Sequence, residues 1–207
     1  NVTMPCKNEA AKHMDELSPA ARIIGAVNTI VNEDGKLVGH ITDGIGFVRN
    51  LKEHGVDVKG KKMVVLGAGG AATAIQVQCA LDGAREISIF NIKDAFFERT
   101  LQTAEKIRKA VPECVVNVYD IADTAKMTEE IQSSDIFANA TIVGMKPMDD
   151  QSVVKDLSAF RPGLVVADAV YNPEETKLLR EAKEAGCTCI GGKGMLLWPV
   201  SYTHLTL

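Results

Sequence analysis

The chain has 207 residues, of which 46% are hydrophobic and 24% are charged, and its formal net charge is -4. These values are ordinary for a globular protein with a sizeable core. They exclude the strongly basic composition that favours nucleic acid or an anionic membrane as a partner. No apolar run approaches the roughly 20 residues that a membrane-spanning helix needs. We therefore expect no nucleic-acid partner and no membrane partner.

The cysteines and histidines indicate neither a disulfide framework nor a metal site. Five cysteines lie at positions 6, 79, 114, 187 and 189 without a Cys-x-x-Cys pair, and the four histidines have no ligand-like neighbours at metal spacing. No secretory leader is visible, and unpaired thiols are typical of a reducing compartment. We expect a cytoplasmic protein without a bound metal.

The first quarter of the chain predicts short helices and a hairpin. The residues Asn-Glu-Asp-Gly between two runs rich in β-branched residues favour a turn between strands. The predicted elements are, in chain order, a helix at 8–17 capped by Asn8, a strand at 25–31, a turn at 32–35, a strand at 36–41 and an amphipathic helix at 45–55.

From residue 62 onwards, apolar runs and helical patterns alternate regularly. Strands separated by helices of this length form right-handed βαβ units, which predicts an α/β fold with a Rossmann-type parallel sheet and helices on both faces. We predict strands at 62–67, 86–91, 114–120, 135–141, 163–170 and 187–191, and helices at 70–83, 95–111, 124–133 and 173–186.

A glycine-rich segment, VVLGAGGAATA, joins the first of these strands to its helix. Its pattern Gly67-x-Gly69-x-x-Ala72 is the fingerprint of dinucleotide-binding turns, in which a helix N-terminus faces the pyrophosphate. The alternative is a plain tight turn between strand and helix. The fingerprint predicts that the cofactor contacts Gly67, Ala68, Gly69, Gly70 and Ala71.

The next strand ends in FNIKD, where a dinucleotide would place its adenosine ribose. An acidic residue there accepts a hydrogen bond from the ribose 2′-hydroxyl, whereas a basic residue favours a 2′-phosphate. Asp94 offers the first, Lys93 offers the second, and Asn91 ends the strand. Asp94 is also a plausible cap for the following helix, and the two roles are compatible. We predict NAD as cofactor, with NADP tolerated.

Six motifs together carry a family resemblance: NVTMPCK, GAVNT, TDGIGF, LGAGGAA, NATIVGM and GGKGMLL. Their order and spacing resemble those of shikimate dehydrogenases as far as Trp198. FNIKDAFFER, in place of an Asn-Arg-Thr turn, is most similar to the quinate/shikimate dehydrogenase branch. The resemblance implies an enzyme that interconverts 3-dehydroshikimate and shikimate, or 3-dehydroquinate and quinate, by hydride transfer with a nicotinamide cofactor.

The same resemblance implies roles for individual residues. Lys7 would be the catalytic lysine and Asp43 its partner, because a lysine ammonium can protonate the alkoxide that forms when a ketone is reduced. The implied substrate contacts are Thr3, Asn28, Asp43 and Tyr171, and the further cofactor contacts are Thr141, Gly144, Met145, Gly194 and Met195. Without the resemblance, Lys7 is a surface lysine and Asp43 a turn or cap residue.

The resemblance also implies a domain organisation. Residues 1–43 would be the remnant of a smaller α/β substrate domain, 44–191 the dinucleotide-binding domain and 192–207 a shortened return segment, with 199–207 non-native. We expect a chain truncated at both ends, with weak dinucleotide binding and impaired turnover, that is a monomer or a homodimer. The alternatives are a non-catalytic sensor of the same fold and a related dehydrogenase of another small carbonyl compound.

Overall fold

A computed structural model of the protein describes residues 1–3, 5–94 and 97–197. The described residues form a six-stranded parallel sheet and a separate three-stranded sheet. The predicted α/β fold with a Rossmann-type parallel sheet is therefore confirmed. The predicted non-native tail at 199–207 lies outside the described residues.

The three-stranded sheet belongs to the first 40 residues. Strand β3 lies in its centre, parallel to β1 and antiparallel to β2. Asp34 and Gly35, with φ of 51° and 92°, form the two-residue turn between β2 and β3. The elements of this region are α1 (Lys7–Ala11), β1 (Glu16–Leu17), α2 (Pro19–Ile24), β2 (Thr29–Glu33) and β3 (Lys36–His40).

The helix predicted at 8–17 is too long. Helix α1 ends at Ala11, because the following residues turn back so that Glu16–Leu17 can pair with β3. Asn8 does not cap the helix either, since Cys6 holds the N-cap position and the Asn8 side chain donates to the carbonyl of Gly25 at 2.9 Å. Pairing between strands here outweighs local helix propensity.

Helix α2 was missed by the prediction, which began a strand at residue 25. Its signals are nevertheless present in the sequence SPAARIIG. Ser18 caps the helix by accepting from the backbone N–H of Ala21, Pro19 occupies the first turn, and Gly25 ends it with φ of 76°. The strand then begins four residues later than predicted, at Thr29.

The remaining elements alternate as predicted, with boundaries shifted by a few residues. Residues 193–197 are also helical. The elements are α3 (Asp43–Glu53), β4 (Lys62–Leu66), α4 (Gly70–Leu81), β5 (Glu86–Asn91), α5 (Phe97–Ala110), β6 (Val115–Asp120), α6 (Thr124–Gln132), β7 (Ile136–Asn139), β8 (Val165–Asp168), α7 (Lys177–Glu184) and β9 (Thr188–Ile190).

The core divides into two layers on opposite faces of the large sheet. Along β4, Met63 and Val65 face the layer that contains α4 and α5, whereas Val64 and Leu66 face the layer that contains α6 and α7. Successive side chains of a strand point to opposite faces, so a strand buried on both sides reads as a continuous apolar run. None of the helices in the described residues is long and apolar enough to cross a membrane.

The strand order β6-β5-β4-β7-β8-β9 places a topological switch point between β4 and β7. The chain winds outward from β4 to β6 and then returns to continue from β7 in the other direction. In open parallel sheets, ligands bind outside the carboxyl ends of the strands at such a point. The loops after β4 and β7 are therefore where a ligand is expected.

Candidate active site

A small open cleft lies where the N-terminal segment, the start of β2 and the start of α3 meet. Its volume is about 260 Å³. Of the predicted catalytic and substrate-binding residues, the cleft brings together Thr3, Lys7, Asn28 and Asp43, whereas Tyr171 is 47% exposed in the loop after β8. The described residues that line the cleft are Asn1, Val2, Thr3, Lys7, Asn28, Thr29, Thr42, Asp43 and Leu196.

Lys7 and Asp43 form an ion pair at the centre of this lining. The Lys7 Nζ lies 3.2 Å from Oδ2 of Asp43, and the two side chains are 24% and 25% exposed. Lys7 begins α1, whose position is set by a hydrogen bond from the Val27 N–H to the Lys7 carbonyl. Asp43 begins α3, where the helix dipole favours a negative charge. The pair is half-buried and open to a ligand from one side.

Asn28 orients the carboxylate of this pair. Its Nδ2 donates to Oδ1 of Asp43 at 3.0 Å, which leaves Oδ2 for Lys7. Its Oδ1 accepts from the Thr42 N–H at 3.0 Å and from the Thr42 and Thr29 hydroxyls at 3.2 and 3.1 Å. Because the amide oxygen is used within the protein, only the second Nδ2 hydrogen can meet a ligand.

The arrangement can hold and protonate an oxygen atom. An ammonium has three N–H donors, and among the described residues that of Lys7 uses one of them, for Asp43. The other two can donate to a ligand oxygen on which negative charge develops. Thr42 also supports the site, because its hydroxyl donates to Oδ1 of Asn28. It was missed in the sequence, where the Thr-Asp-Gly segment resembles an ordinary turn.

The glycine turn lies at the carboxyl end of β4, between Leu66 and Gly70. Gly67 has φ of 104°, and a Cβ at this position would lie 2.9 Å from the Ala140 carbonyl oxygen, so only glycine fits. Gly69 and Gly70 differ, because a Cβ at either would have no atom within 4 Å. The space above these two glycines is open to a ligand at the start of α4.

Gln76 supports the turn from beneath and was also missed. It is fully buried, and its Nε2 donates to the Gly67 carbonyl at 2.9 Å. Its Oε1 has no hydrogen-bond partner among the described residues, which is rare for a buried amide. No sequence motif marks it, because a glutamine on a helix is normally an exposed residue.

A second cleft, of about 280 Å³, lies beside the glycine turn at the end of β5. Four of the residues that line it were predicted to contact a cofactor. Arg99, from the first turn of α5, was missed because it follows the strand end by eight residues. Lys93 is exposed and is not among the described residues of the lining. The residues that line the cleft are Ala68, Gly69, Asn91, Ile92, Asp94 and Arg99.

The loop after β7 carries Thr141, Gly144 and Met145, and a buried polar network holds it. Asn139 accepts at Oδ1 from the Thr141 N–H and hydroxyl, at 3.1 and 2.7 Å, and its Nδ2 donates to Oδ1 of Asp168 at 3.0 Å. The loop begins close to the glycine turn, because a Cβ at Gly67 would lie only 2.9 Å from the Ala140 carbonyl oxygen.

Asp168 anchors that network beneath the loop. Its Oδ2 accepts from the Thr176 hydroxyl at 2.7 Å. Burial raises the pKa of the Asp168 carboxyl, and the hydrogen bonds from Thr176, Val170 and Asn139 oppose this rise. Gly144, with φ of 101°, packs against Thr176. The loop at the switch point is thus fixed by side chains of β7 and β8.

The helical residues 193–197 contact both α3 and the cleft of Lys7 and Asp43. Gly194 packs against Asn50 of α3, whose Nδ2 donates to the Gly191 carbonyl at 3.0 Å. Met195 is 7% exposed and belongs to the core, so its side chain points away from solvent. Leu196 lines the cleft of Lys7 and Asp43. Within the described residues, no cluster of three or more His, Cys, Asp or Glu side chains could hold a metal ion.

Comparison with known proteins relates this site to one enzyme family. The family of shikimate dehydrogenase substrate binding domains matches residues 1–30. The crystal structure of shikimate 5-dehydrogenase from Listeria monocytogenes, in complex with shikimate and NAD, is 52% identical in sequence. The match covers 96% of this chain and 68% of that chain, with a TM-score of 0.93.

Two further solved structures are similar over nearly the whole chain. The ligand-free 5-ketofructose reductase of Gluconobacter sp. strain CHM43 is 36% identical, over 95% of this chain and 68% of that chain, with a TM-score of 0.83. Quinate dehydrogenase from Corynebacterium glutamicum, in complex with NAD, is 31% identical, over 95% and 67%, with a TM-score of 0.83. The chain belongs to the shikimate dehydrogenase family.

Proposed function

We propose that this chain belongs to an NAD(P)-dependent oxidoreductase that interconverts 3-dehydroshikimate and shikimate, with quinate as a second substrate to be tested. The observation that carries the proposal is the ion pair of Lys7 and Asp43, 3.2 Å apart in an open cleft, in a chain that also carries a dinucleotide fingerprint. The Listeria relative, crystallised with shikimate and NAD, supports the same pair of ligands. The proposed partners are therefore small molecules.

Lys7 is the proposed acid in the direction of ketone reduction. Its ammonium donates a hydrogen bond to the ketone oxygen and then its proton to the alkoxide, and in the reverse direction the neutral amine accepts that proton. Asp43 keeps the ammonium in place, and Asn28 keeps Asp43 in place. Thr3 and the remaining Asn28 N–H are the proposed contacts of ring hydroxyls. Tyr171 is not among the described residues that line the cleft, and it stays a proposed substrate contact from the resemblance alone.

The residues of the large sheet fit a dinucleotide. Open space above Gly69 and Gly70 at the start of α4 suits a pyrophosphate, and Asn91 and Asp94 line the cleft where the ribose would lie. The loop of Thr141, Gly144 and Met145 and the segment of Gly194 and Met195 are the proposed contacts on the nicotinamide side. A bound nicotinamide dinucleotide supplies the hydride.

These proposed roles are consistent with the proposed division of the chain into two domains and a return segment. Residues 1–43 supply the proposed catalytic pair and substrate contacts, and residues 44–191 supply the dinucleotide site. Residues 192–197 of the return segment connect the two.

The direct test measures initial rates of cofactor reduction with shikimate and with quinate, each with NAD and NADP. The rates are compared for the 207-residue chain and for a chimera that adds the parts of the Listeria protein outside the 68% matched. We expect turnover of shikimate by the chimera and much slower turnover by the 207-residue chain. A folded chimera that binds dinucleotide but oxidises neither acid would contradict the proposal and favour the sensor.

The substitution Gly69→Ala tests the dinucleotide site separately. The new Cβ meets no protein atom within 4 Å, so we expect the free energy of unfolding to change by less than about 1 kcal/mol. The same Cβ would occupy the approach of a pyrophosphate, so NAD affinity should fall at least about tenfold. Calorimetric titration measures this change, and an unchanged affinity would place the cofactor elsewhere.

One alternative substrate class has a specific observation in its favour. The similarity to 5-ketofructose reductase shows that this fold and a 36% identical sequence occur in a protein named for another carbonyl compound. Reduction of 5-ketofructose and of 3-dehydroshikimate, each with NADH and NADPH, is therefore a further arm of the rate assay. A rate with 5-ketofructose above that of 3-dehydroshikimate would replace the proposed substrate while keeping the roles of Lys7 and Asp43.

A further inference from the structure

A buried carboxylate lies at the carboxyl end of β8 without a cationic partner. Asp168 is 2% exposed and is paired with Asn139 of β7 in the register of the sheet. Its hydrogen-bond donors are the Asn139 amide, the Val170 N–H and the Thr176 hydroxyl, all of which are neutral. Among the described residues, Asp168 has no ion pair with a lysine, arginine or histidine. Aspartates are almost never fully buried unless they are paired, so this charge calls for an explanation.

The hydrogen bonds around Asp168 fit its charged form. Asn139 uses its amide oxygen to accept from the Thr141 N–H and hydroxyl, so its Nδ2 faces Asp168 as a donor. The Thr176 hydroxyl accepts from the Leu179 N–H and gives its hydrogen to Oδ2 of Asp168. Burial raises the pKa of the Asp168 carboxyl, and these donors oppose that rise by stabilising the negative charge.

Both segments that are proposed to contact the nicotinamide pack close to this charge. A Cβ at Gly144, in the loop after β7, would lie 4.0 Å from Oδ2 of Asp168. A Cβ at Gly192, which leads into the helical residues 193–197, would lie 2.6 Å from the carbonyl oxygen of Ala169. The negative charge of Asp168 is therefore buried behind the protein surface that these two segments form.

We propose that the buried charge of Asp168 makes the dinucleotide site favour the oxidised cofactor over the reduced one. The nicotinamide ring is positively charged in NAD⁺ and neutral in NADH, so a carboxylate behind it attracts the oxidised ring alone. Protein interiors screen charges less than water does, and unit charges about 10 Å apart there change an equilibrium constant about tenfold. This inference rests on the proposed function, since it concerns the cofactor of the same site.

The experiment measures the dissociation constants of NAD⁺ and NADH for the 207-residue chain by calorimetric titration at low salt. Asp168→Asn keeps the shape of the side chain and removes its charge, so NAD⁺ binding should weaken about tenfold relative to NADH binding. The ratio of the two affinities is the readout, because a loop that is merely loosened would weaken both cofactors alike.

Two control variants separate the charge from the packing. Thr176→Val removes one hydrogen bond to the same carboxylate and keeps its charge, so any loss of affinity should be equal for both cofactors. Asp135→Asn removes the same charge just before β7, at the amino end of the sheet, from a side chain that is 40% exposed. The affinity ratio should then stay within about twofold of the unsubstituted value, because solvent screens an exposed and distant charge.

A double exchange keeps the test decisive if Asp168→Asn alone is unstable. Asn139→Asp combined with Asp168→Asn returns one carboxylate to the same buried network on the neighbouring strand. The exchanged chain should recover the preference for NAD⁺. A folded exchanged chain that binds both cofactors without this preference would contradict the inference.

The outcomes separate the inference from the proposed function. If the chain binds both cofactors and Asp168→Asn leaves their affinity ratio unchanged, the inference is overturned and the dinucleotide site stands. A change of the ratio in Thr176→Val or Asp135→Asn as large as that in Asp168→Asn would also overturn it. Binding of neither cofactor to the unsubstituted chain would overturn the proposed dinucleotide site itself, and the inference with it.

Discussion

Two lysine–carboxylate arrangements lie in different parts of the molecule and differ in how completely their atoms are used. Lys7 and Asp43 are about a quarter exposed and meet through one contact of 3.2 Å. At the amino ends of β4 and β5, Lys62 contacts Glu130 at 2.8 Å and Glu86 at 3.2 Å, with 12% of the Lys62 side chain and 6% of the Glu130 side chain exposed. The first pair is open and the second is enclosed.

The enclosed arrangement has additional partners. Glu130 also accepts from the Ser88 hydroxyl at 2.7 Å and contacts Lys126 at 2.8 Å. Burial alone would raise the pKa of the Glu130 carboxyl, but the hydrogen bonds from Lys126, Lys62 and Ser88 outweigh it and lower the pKa to about 2. Burial likewise opposes the charge of Lys62, yet its carboxylate partners raise its pKa. These groups stay charged at neutral pH and hold α6 against β4 and β5.

The comparison indicates what a structural ion pair needs and what a pair with the proposed catalytic role must avoid. Enclosed charges are stable only when each is fully paired and hydrogen-bonded. A lysine that delivers a proton to a substrate must instead keep donors unused and solvent or ligand within reach. The open pair lies in a ligand-sized cleft, and the enclosed pair lies at the amino ends of β4 and β5, opposite the carboxyl ends where a ligand is expected.

The largest expected effect is on activity, in Lys7→Ala. Loss of the proposed acid should reduce the rate of shikimate oxidation by the chimera about 100-fold to 10,000-fold. NAD affinity and the free energy of unfolding should change little, because the pair is a single contact that is open to solvent on one side and contributes about 1 kcal/mol or less. Lys12→Ala, which removes a 69% exposed lysine next to the same helix, is the control. A comparable loss of rate in both variants would remove Lys7 from the proposed mechanism.

In the enclosed arrangement, Glu130→Ala should reduce the stability of the fold rather than the activity. Removing the carboxylate leaves Lys62 and Lys126 partly unpaired, so the free energy of unfolding should fall by about 3 kcal/mol. Chemical denaturation measures this loss. Glu129→Ala is the control, because Glu129 also contacts Lys126 but is 70% exposed and should contribute less than about 0.5 kcal/mol. Similar losses in the two variants would show that burial does not set the strength of these pairs.

The low pKa of Glu130 predicts sensitivity to acid. The folded-state pKa of about 2 lies below the ordinary value of 4.5, so protonation favours the unfolded chain. The contribution of Glu130 is complete above about pH 4.5 and is lost as the pH falls towards 2. Glu130→Gln should remove this component, so its free energy of unfolding should depend less steeply on pH over that interval. Equal slopes for both proteins would contradict the assignment.

The smallest expected effect is in Asn28→Ala, which loosens the open pair without removing it. The substitution deletes the donor to Asp43 and the acceptor of Thr42 and Thr29, so the free energy of unfolding should fall by about 1–2 kcal/mol. The rate of the chimera should fall about tenfold, less than in Lys7→Ala, because the acid itself remains. A rate loss equal to that of Lys7→Ala would assign Asn28 a larger role than orientation.

The alternation of elements could be predicted because each strand and helix carries its own periodic pattern. The buried run at Lys62–Leu66 and the long helix at Phe97–Ala110 are local signals that the tertiary structure leaves in place. The helix predicted at 8–17 was too long, since the pairing of Glu16–Leu17 with β3 depends on residues about 20 positions later. A periodic pattern of apolar residues describes only neighbouring positions, so it cannot indicate a pairing between segments that are distant in the sequence.

The sequence by itself determined the glycine turn, because Gly67-x-Gly69 specifies a backbone conformation among neighbouring residues. Lys7 and Asp43 were named by resemblance, and their contact across 36 positions exists only in the folded chain. Folding likewise brings Thr42 and Arg99 into the linings of their clefts. Side-chain distances between remote segments follow from how β3, α3 and α5 pack. Tertiary structure therefore decided the shape and the charge of both clefts.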